Sequence, residues 1–409
     1  MGLTLAGRNL SRVARNQAAR LVRRVAHAMR RGAKQAQEAR KSVTAQARGV
    51  ADASRDAGLI AYAGGVRTSR YWSRAGQRTM PRLMRDASIR RELRAVARGS
   101  QPIIVGPWLS EVGYETLYWV PFVRWFAHHY RIDPSRMVVV SRGGVASWYA
   151  DVAGRYIELL DLFTPEDFAR RNAERQERGD QKQTGVSGFD AEILDRVRAC
   201  EGLARATVCH PSAMFRLLRQ FWLGNESLEY ALEYLVYRTV GPPAAGTLPA
   251  LPPLPGRYAA AKFYSGRALP DVEANREAVR ALLTRIGADL PIVLLDTGLS
   301  LDEHADMSVR GTNIISIQAS LAPQHNLGVQ TEVIRRASLF VGTCGSVAWL
   351  APMLGTDTLA VFADDHFLGP HLYAARHAYR LMGAAPFTPL DLRAVGLLSA
   401  ARATVHLDV

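Results

Sequence analysis

Residues 337–355 read Ala-Ser-Leu-Phe-Val-Gly-Thr-Cys-Gly-Ser-Val-Ala-Trp-Leu-Ala-Pro-Met-Leu-Gly. An apolar run ends in Gly342-Thr343-Cys344-Gly345-Ser346 and passes straight into a pattern expected to be helical. Small residues at the end of a buried strand let a ligand approach the backbone closely. The amides that open a helix, with its positive dipole end, suit an anion, and the hydroxyls of Thr343 and Ser346 add donors. The geometry fits a diphosphate. The plain alternative is a tight strand-to-helix connection with no ligand at all, since a fold and its function separate readily.

Around this turn, strands and helices alternate. Strands are expected at Tyr258–Phe263, Pro291–Leu295, Asn313–Ile317, Leu339–Val341 and Thr358–Phe362, and helices at Asn275–Ile286 and Val329–Ala337. That alternation predicts a parallel sheet covered on both faces. Residues 241–256 carry six prolines in 16 positions, too many for a helix or a central strand, and read as an interdomain linker. The same texture precedes them: strands Ile103–Val105, Met137–Val140 and Thr207–Cys209, a helical pattern over Thr116–Phe126, and a helical stretch running on through Leu162. Residues 170–185 read as a charged loop or frayed helix with little to bury. The expected organisation is α/β: a basic, largely helical N-terminal extension (1–100), one Rossmann-like doubly wound domain (101–240), the linker, and a second such domain (257–409).

Charge divides the chain just as sharply. Residues 1–100 hold 23 of the 52 Lys and Arg but only 5 of the 37 Asp and Glu, so the net charge of +15 belongs to this quarter. Wound as a helix, Leu10, Ala14, Leu21, Val25 and Met29 share one side. Arg12, Arg20, Arg23, Arg24, Arg30 and Arg31 share the other. This pattern suits an anionic membrane surface, and each cation near such a surface adds about 1 kcal/mol. A solvated tail without a partner is the alternative. Nucleic acid is less favoured, because the arm has one aromatic pair, Tyr71 and Trp72, and no repeated interleaving for base stacking. The arginines interrupt any secretory apolar core, and an organelle-targeting peptide remains open. No stretch approaches the roughly 20 apolar residues of a membrane-crossing helix. Three cysteines, Cys200, Cys209 and Cys344, form neither a disulfide framework nor a zinc spacing, which predicts reduced thiols and an intracellular protein.

At the 337–355 turn the chain resembles the GT-B glycosyltransferases, and the segment LFVGTCGSVAWLAPMLGT is similar to that of heptosyltransferase-like members. The resemblance spans residues 101–400 as architecture. It implies an enzyme that moves a sugar from a nucleotide-sugar donor to a glycan or lipid-linked acceptor, in the cytoplasm, peripheral to the membrane through the basic arm. Thr343-Cys344-Gly345 stands where heptosyltransferases commonly have Asp-Ser-Gly, so the donor's identity is not implied. The paired-glutamate motif of retaining members is missing, and a lone candidate base favours inversion.

Within this frame Lys262, Ser265 and Arg267, just past the strand expected at 258–263, are placed to neutralise a leaving diphosphate with Thr343, Gly345 and Ser346. Gln318 and the loop through Gln324-His325-Asn326 match by order the region that holds the base in such enzymes. In the first half, Glu111 in the loop after the first strand is the candidate general base, taking a proton from the acceptor hydroxyl. A helix-opening charge is its alternative, and Glu115 is read in that role. Trp108, Tyr114 and Arg142 are candidate acceptor contacts. His128 and His129 end a helix, and His366, His371 and His377 lack a compact metal spacing. No metal and no cofactor are expected. Cys344 reads as a small lining residue rather than a nucleophile, for want of a placed base. Two other readings remain: a nucleotide-sugar epimerase of the same fold, and a non-catalytic scaffold binding membrane or nucleic acid.

Overall fold

In a computed structural model of the chain, residues 68–180, 182–298, 305–307 and 313–394 are described. The amphipathic pattern over residues 10–31 lies outside them. The chain divides into two units, Met1–Met84 and Arg85–Val409.

The second unit holds two sheets of parallel strands. The first contains β1 (Ile103–Val105), β2 (Met137–Ser141), β3 (Arg155–Glu158) and β4 (Thr207–Cys209), in the order β3-β2-β1-β4. Strand β3 was read from sequence as part of a helix. It is an edge strand with one flank in solvent, so its apolar signal is short. The second sheet contains β5 (Ala259–Lys262), β7 (Ile292–Leu294), β9 (Ile314–Ser316), β10 (Leu339–Thr343), β11 (Thr358–Phe362) and β12 (Phe387–Asp391), in the order β12-β11-β10-β5-β7-β9. A two-residue antiparallel ribbon, β6 (Tyr264–Ser265) with β8 (Ala305–Asp306), stands beside it. The expected α/β architecture of two parallel sheets flanked by helices is what the structure shows.

Both sheet orders reverse direction once. In the second sheet the chain runs outward from β5 through β7 to β9, then returns to the other side of β5 with β10 and continues outward to β12. In the first it runs from β1 to β3 and returns with β4. At such switch points the loops leaving neighbouring strands turn opposite ways and open a crevice, which is where open α/β sheets take ligands. The crevices lie after β5 and β10 in one half, and after β1 and β4 in the other.

The two halves share their interior. A single apolar cluster runs from Trp119, Phe122 and Phe215 of the first half to Val333, Phe340 and Trp349 of the second. The interface is also hydrogen-bonded: Trp148 Nε1 donates to Thr331 Oγ1 at 3.0 Å, and the Gly328 amide to the Gly143 carbonyl at 2.8 Å. The helix Asn326–Arg336 is buried along most of its length between them. The proline-rich residues 241–256 form neither helix nor strand, and Leu251 and Leu254 pack on the shared cluster.

The end of the basic extension belongs to this unit as well. From Arg85 the helix Thr68–Ala97 buries Ile89 and Leu93, and Arg90 reaches the Tyr234 hydroxyl at 3.0 Å. The run 170–185, read as having little to bury, forms part of the helix Pro165–Glu177 and then inserts Gln183, 2% exposed, into the body.

Candidate functional site

The loop leaving β1 is held from several sides. Gln183 Oε1 accepts from the Leu109 amide at 2.9 Å, while its Nε2 donates to the Pro107 carbonyl at 2.9 Å and to Asp190 at 2.7 Å. Arg142, 3% exposed, donates to the carbonyls of Trp108 and Ser110, and Arg175 to that of Leu109. Arg142 is therefore spent on the loop's backbone rather than facing a ligand. Trp108 has no free face either. It is fully buried between Trp119 and Phe215, with ring centroids 5.8 and 5.9 Å away. The function of this packing is to deliver Glu111, half-buried, to the crevice, where Lys182 Nζ donates to its Oε1 at 2.5 Å. Lys182 also stands 3.7 Å over the Tyr114 ring, a cation–π contact.

Glu115, one turn on, points away from the crevice into the protein. It is fully buried on a π-helical turn, Glu115–Trp119, and accepts from Ser141 Oγ at 2.6 Å and Tyr149 Oη at 2.7 Å. Burial pushes its carboxyl up to about 7 against the pull of those bonds and of the Arg142 charge. The glycine turn after β2 is occupied from within. The amides of Gly143 and Gly144 donate to the two oxygens of Glu158 at 3.0 and 2.8 Å, so this nest already holds an anion.

In the second half, Thr343 acts as a clamp. Its hydroxyl accepts from the Tyr264 amide and donates to the Tyr264 carbonyl, each at 3.0 Å, tying the exit of β10 to that of β5. Gly345 and Ser346 follow at the crevice. Gly345 has φ +151°, and a side chain there would meet the Tyr264 hydroxyl at 2.3 Å, so only glycine fits. The pattern read as a helix after the turn is two short 3₁₀ turns, Ser346–Ala348 and Ala351–Leu354, the second carrying Pro352 and closed by Gly355. The expected α-helix dipole is absent there. Donors remain, because the amides of Gly345, Ser346 and Val347 make no hydrogen bond among the described residues. Cys344 is buried and its thiol is pushed up to about 12 by burial, far from a thiolate at neutral pH.

The remaining sequence candidates separate. Arg267 is exposed and lines the crevice. Lys262 instead turns inward, donating to Asp306 Oδ1 at 2.7 Å and to the Leu295 carbonyl at 2.9 Å. Ser265 sits in the β6–β8 ribbon. Gln318 is exposed beyond β9, the edge strand two places from β5, and does not line the crevice.

The two crevices face one another and form one cavity of about 660 Å³. The first half contributes Glu111, Tyr114 and Lys182; the second contributes Arg267, Gly345, Ser346, His366 and His371. Gly113 sets how closely they meet, for a Cβ at that position would lie 2.9 Å from the Ser346 amide nitrogen. His371 bridges the halves: its Nδ1 is 2.7 Å from the Tyr118 hydroxyl and its Nε2 3.3 Å from that of Tyr114. Burial, with the Lys182 charge behind it, lowers the imidazole to about 3, so it is neutral in ordinary conditions. Burial also raises the Tyr114 hydroxyl above its usual range. The Glu111 charge adds to that rise, and Arg267 opposes it. Lys182 and Gly113 escaped the sequence reading, which weighed His371 only as a metal ligand. Lys182 lay in a charged run with no periodicity, and the partners of His371 are more than 250 positions away.

No family model matches the sequence, nor does any characterised protein match it by sequence. Among solved structures the chain is similar to the Escherichia coli heptosyltransferase WaaC with ADP, at 17% identity over 74% of this chain and 99% of that one, with a TM-score of 0.37. It is similar to a family 9 glycosyl transferase from Veillonella parvula, at 10% identity over 74% and 89%, also at 0.37. A third is the iron-containing dodecameric glycosyltransferase TibC from enterotoxigenic E. coli, at 8% identity and 0.36. The chain spans 58% of the length of TibC. These similar structures are glycosyltransferases, heptosyltransferases among them.

Proposed function

We propose that the protein is a glycosyltransferase that moves a sugar from a nucleotide-sugar donor to a glycan or lipid-linked acceptor, with inversion and without a metal ion. The observation that carries this reading is the single cavity in which Glu111 of one switch point faces Gly345, Ser346 and Arg267 of the other. A transfer reaction needs a proton acceptor on one side of the reacting carbon and stabilisation of a leaving anion on the other. The free amides of Gly345 and Ser346 and the Arg267 guanidinium take the diphosphate; Glu111 takes the proton of the attacking hydroxyl. Lys182 holds the Glu111 carboxylate in place until substrate arrives. Tyr114, with its hydroxyl fixed by neutral His371, offers that hydroxyl to the acceptor.

Calorimetric titration with a panel of nucleoside diphosphates tests the donor side. At least one is expected to bind, and Arg267→Ala is expected to weaken it about tenfold or more, as for loss of a charge-assisted hydrogen bond. No binding across the panel rejects the reading. Product analysis with a labelled nucleotide-sugar separates transfer from epimerisation, since an epimerase leaves the sugar on the nucleotide. The proposal also places the protein in the cytoplasm, held at anionic membrane by the basic arm. Among the described residues no helix is long and apolar enough to cross a membrane.

A further inference from the structure

We infer that Gln183 and the buried pair Asp190–His210 behind it are positioning residues for the contact of Lys182 with Glu111; their part in turnover rests on the glycosyltransferase reading of the cavity. Lys182 and Gln183 are neighbours in the chain and point opposite ways. Lys182 lines the cavity, on Glu111 and over the Tyr114 ring, while Gln183 is sunk into the body. Neither residue lies in a helix or a strand, so no regular backbone ladder fixes Lys182, and the anchor beside it is the Gln183 side chain. An amide could turn either end toward the exit of β1. Asp190 Oδ1, 2.7 Å from Nε2, only accepts, so it fixes the nitrogen on its own side and leaves Oε1 for the Leu109 amide.

Asp190 is itself held from two sides. His210, the residue after β4, donates from Nε2 to the same Oδ1 at 3.1 Å, and its Nδ1 accepts from the Ser212 amide at 3.2 Å, which settles Nε2 as the donor. The other carboxylate oxygen accepts from the Ser187 amide at 2.8 Å. Burial pushes the Asp190 carboxyl up, but the bonds from His210 and Ser187 outweigh it and hold the group below its ordinary range. A buried histidine beside a buried aspartate can also be a catalytic dyad. Here both ring nitrogens are engaged and neither residue lines the cavity, so the pair acts on geometry and does not touch substrate. The exits of β1 and β4, the switch point of the first half, are thus joined through Asp190 and Gln183, and Lys182 is carried on that join.

The chain has four lysines, Lys34, Lys41, Lys182 and Lys262, so reductive methylation of the full-length protein with ¹³C-formaldehyde gives a short carbon spectrum. Lys182→Arg identifies the Lys182 signal. With Nζ 3.7 Å from the centre of the Tyr114 ring, that signal is expected upfield of free dimethyl-lysine. Gln183→Met, similar in length but without an amide, and Asp190→Ala are each expected to remove at least half of the displacement. Asp190→Asn is expected to keep it: the asparagine oxygen faces the two fixed donors of Gln183 and His210, and its amide faces Ser187, whose hydroxyl can turn to accept. Ser187→Ala, which weakens the cap of the helix Gly188–Cys200 and spares Gln183, keeps it as well. Either Gln183→Met or Asp190→Ala decides the matter if the other fails to fold. A signal left in place in a folded variant, or equal loss in Asp190→Asn, overturns the inference. In the labelled nucleotide-sugar assay, Gln183→Met is expected to lower kcat about tenfold or more and to leave nucleoside diphosphate affinity near that of the parent. A displaced signal with unchanged kcat overturns the positioning role. The spectrum needs no nucleotide, so if nucleoside diphosphates fail to bind while the signals behave as expected, the transferase reading falls and the hold on Lys182 stands. Binding with every signal in place removes the hold and leaves the transferase.

Discussion

Glu111 and Glu115 are four positions apart and do opposite things, because the loop after β1 aims one outward and the next turn aims the other inward. Glu111→Gln keeps the shape of the side chain and its place beside Lys182 but cannot take a proton. It is expected to lower kcat by roughly 10² to 10⁴, the usual range for a general base, and to leave nucleoside diphosphate affinity near that of the parent. Steady-state kinetics paired with calorimetry separate the two effects, and an unchanged kcat removes Glu111 from the reaction. Glu115 bears on stability. Its folded pKa of about 7 lies above the ordinary 4.5, so between those values the folded protein keeps a proton that the unfolded chain has released. Stability therefore falls as pH rises from about 4.5 to about 7 and levels off above that. Glu115→Gln keeps an acceptor for Ser141 and Tyr149 and removes this dependence. Thermal melts are expected to show it gaining on the parent at pH 8 relative to pH 5, and parallel curves would contradict the burial argument.

At the scale of elements, the decisive object is the pair of strand exits β5 and β10. Thr343 clamps them together, and Gly345 passes under the Tyr264 hydroxyl with no room for a methyl group. Gly345→Ala is expected to abolish nucleoside diphosphate binding. Adding Tyr264→Phe, which removes the obstructing oxygen, is expected to restore part of it; the rescue is incomplete because φ +151° still disfavours any Cβ. A double variant no better than the single would mean that backbone strain alone is responsible. This turn was legible in the sequence through its run of small residues, whereas the helix expected after it was not formed. Pro352 and Gly355 sit too close to the turn for more than short 3₁₀ segments. Strands β1, β4 and β11 were read to the residue, being short, β-branched or apolar, and bounded by glycine, proline or polar turns. The edge strand β3 was not, since half of its pattern faces water.

For the whole molecule, the end of the N-terminal quarter is tied to the body by Ile89 and Leu93, both buried. Removing residues 1–60 is expected to leave nucleoside diphosphate binding intact and to abolish co-sedimentation with vesicles containing anionic lipid; vesicle binding that survives would place the membrane contact elsewhere. Removing residues 1–100 also strips Ile89 and Leu93 from the shared core. Each buried side chain of this kind is worth about 1.5–3 kcal/mol, so the longer truncation is expected to lower the melting temperature by many degrees, and the shorter one is not.

The alternation of strands and helices, the basic arm and the small-residue turn follow from local pattern, since periodicity and residue size act over a few positions and need no partner. Candidates chosen by order along the chain fared unevenly. Glu111, Tyr114, Arg267, Gly345 and Ser346 share one cavity, but Trp108 and Arg142 are taken up by packing, Lys262 by Asp306, and Gln318 lies at the sheet's far edge. Which way a side chain points, and whether a cation already has a carboxylate, depends on residues tens or hundreds of positions away. The order in which strands join a sheet, and the contact of two sheets through a common core, set those neighbours. No short window of sequence holds that information.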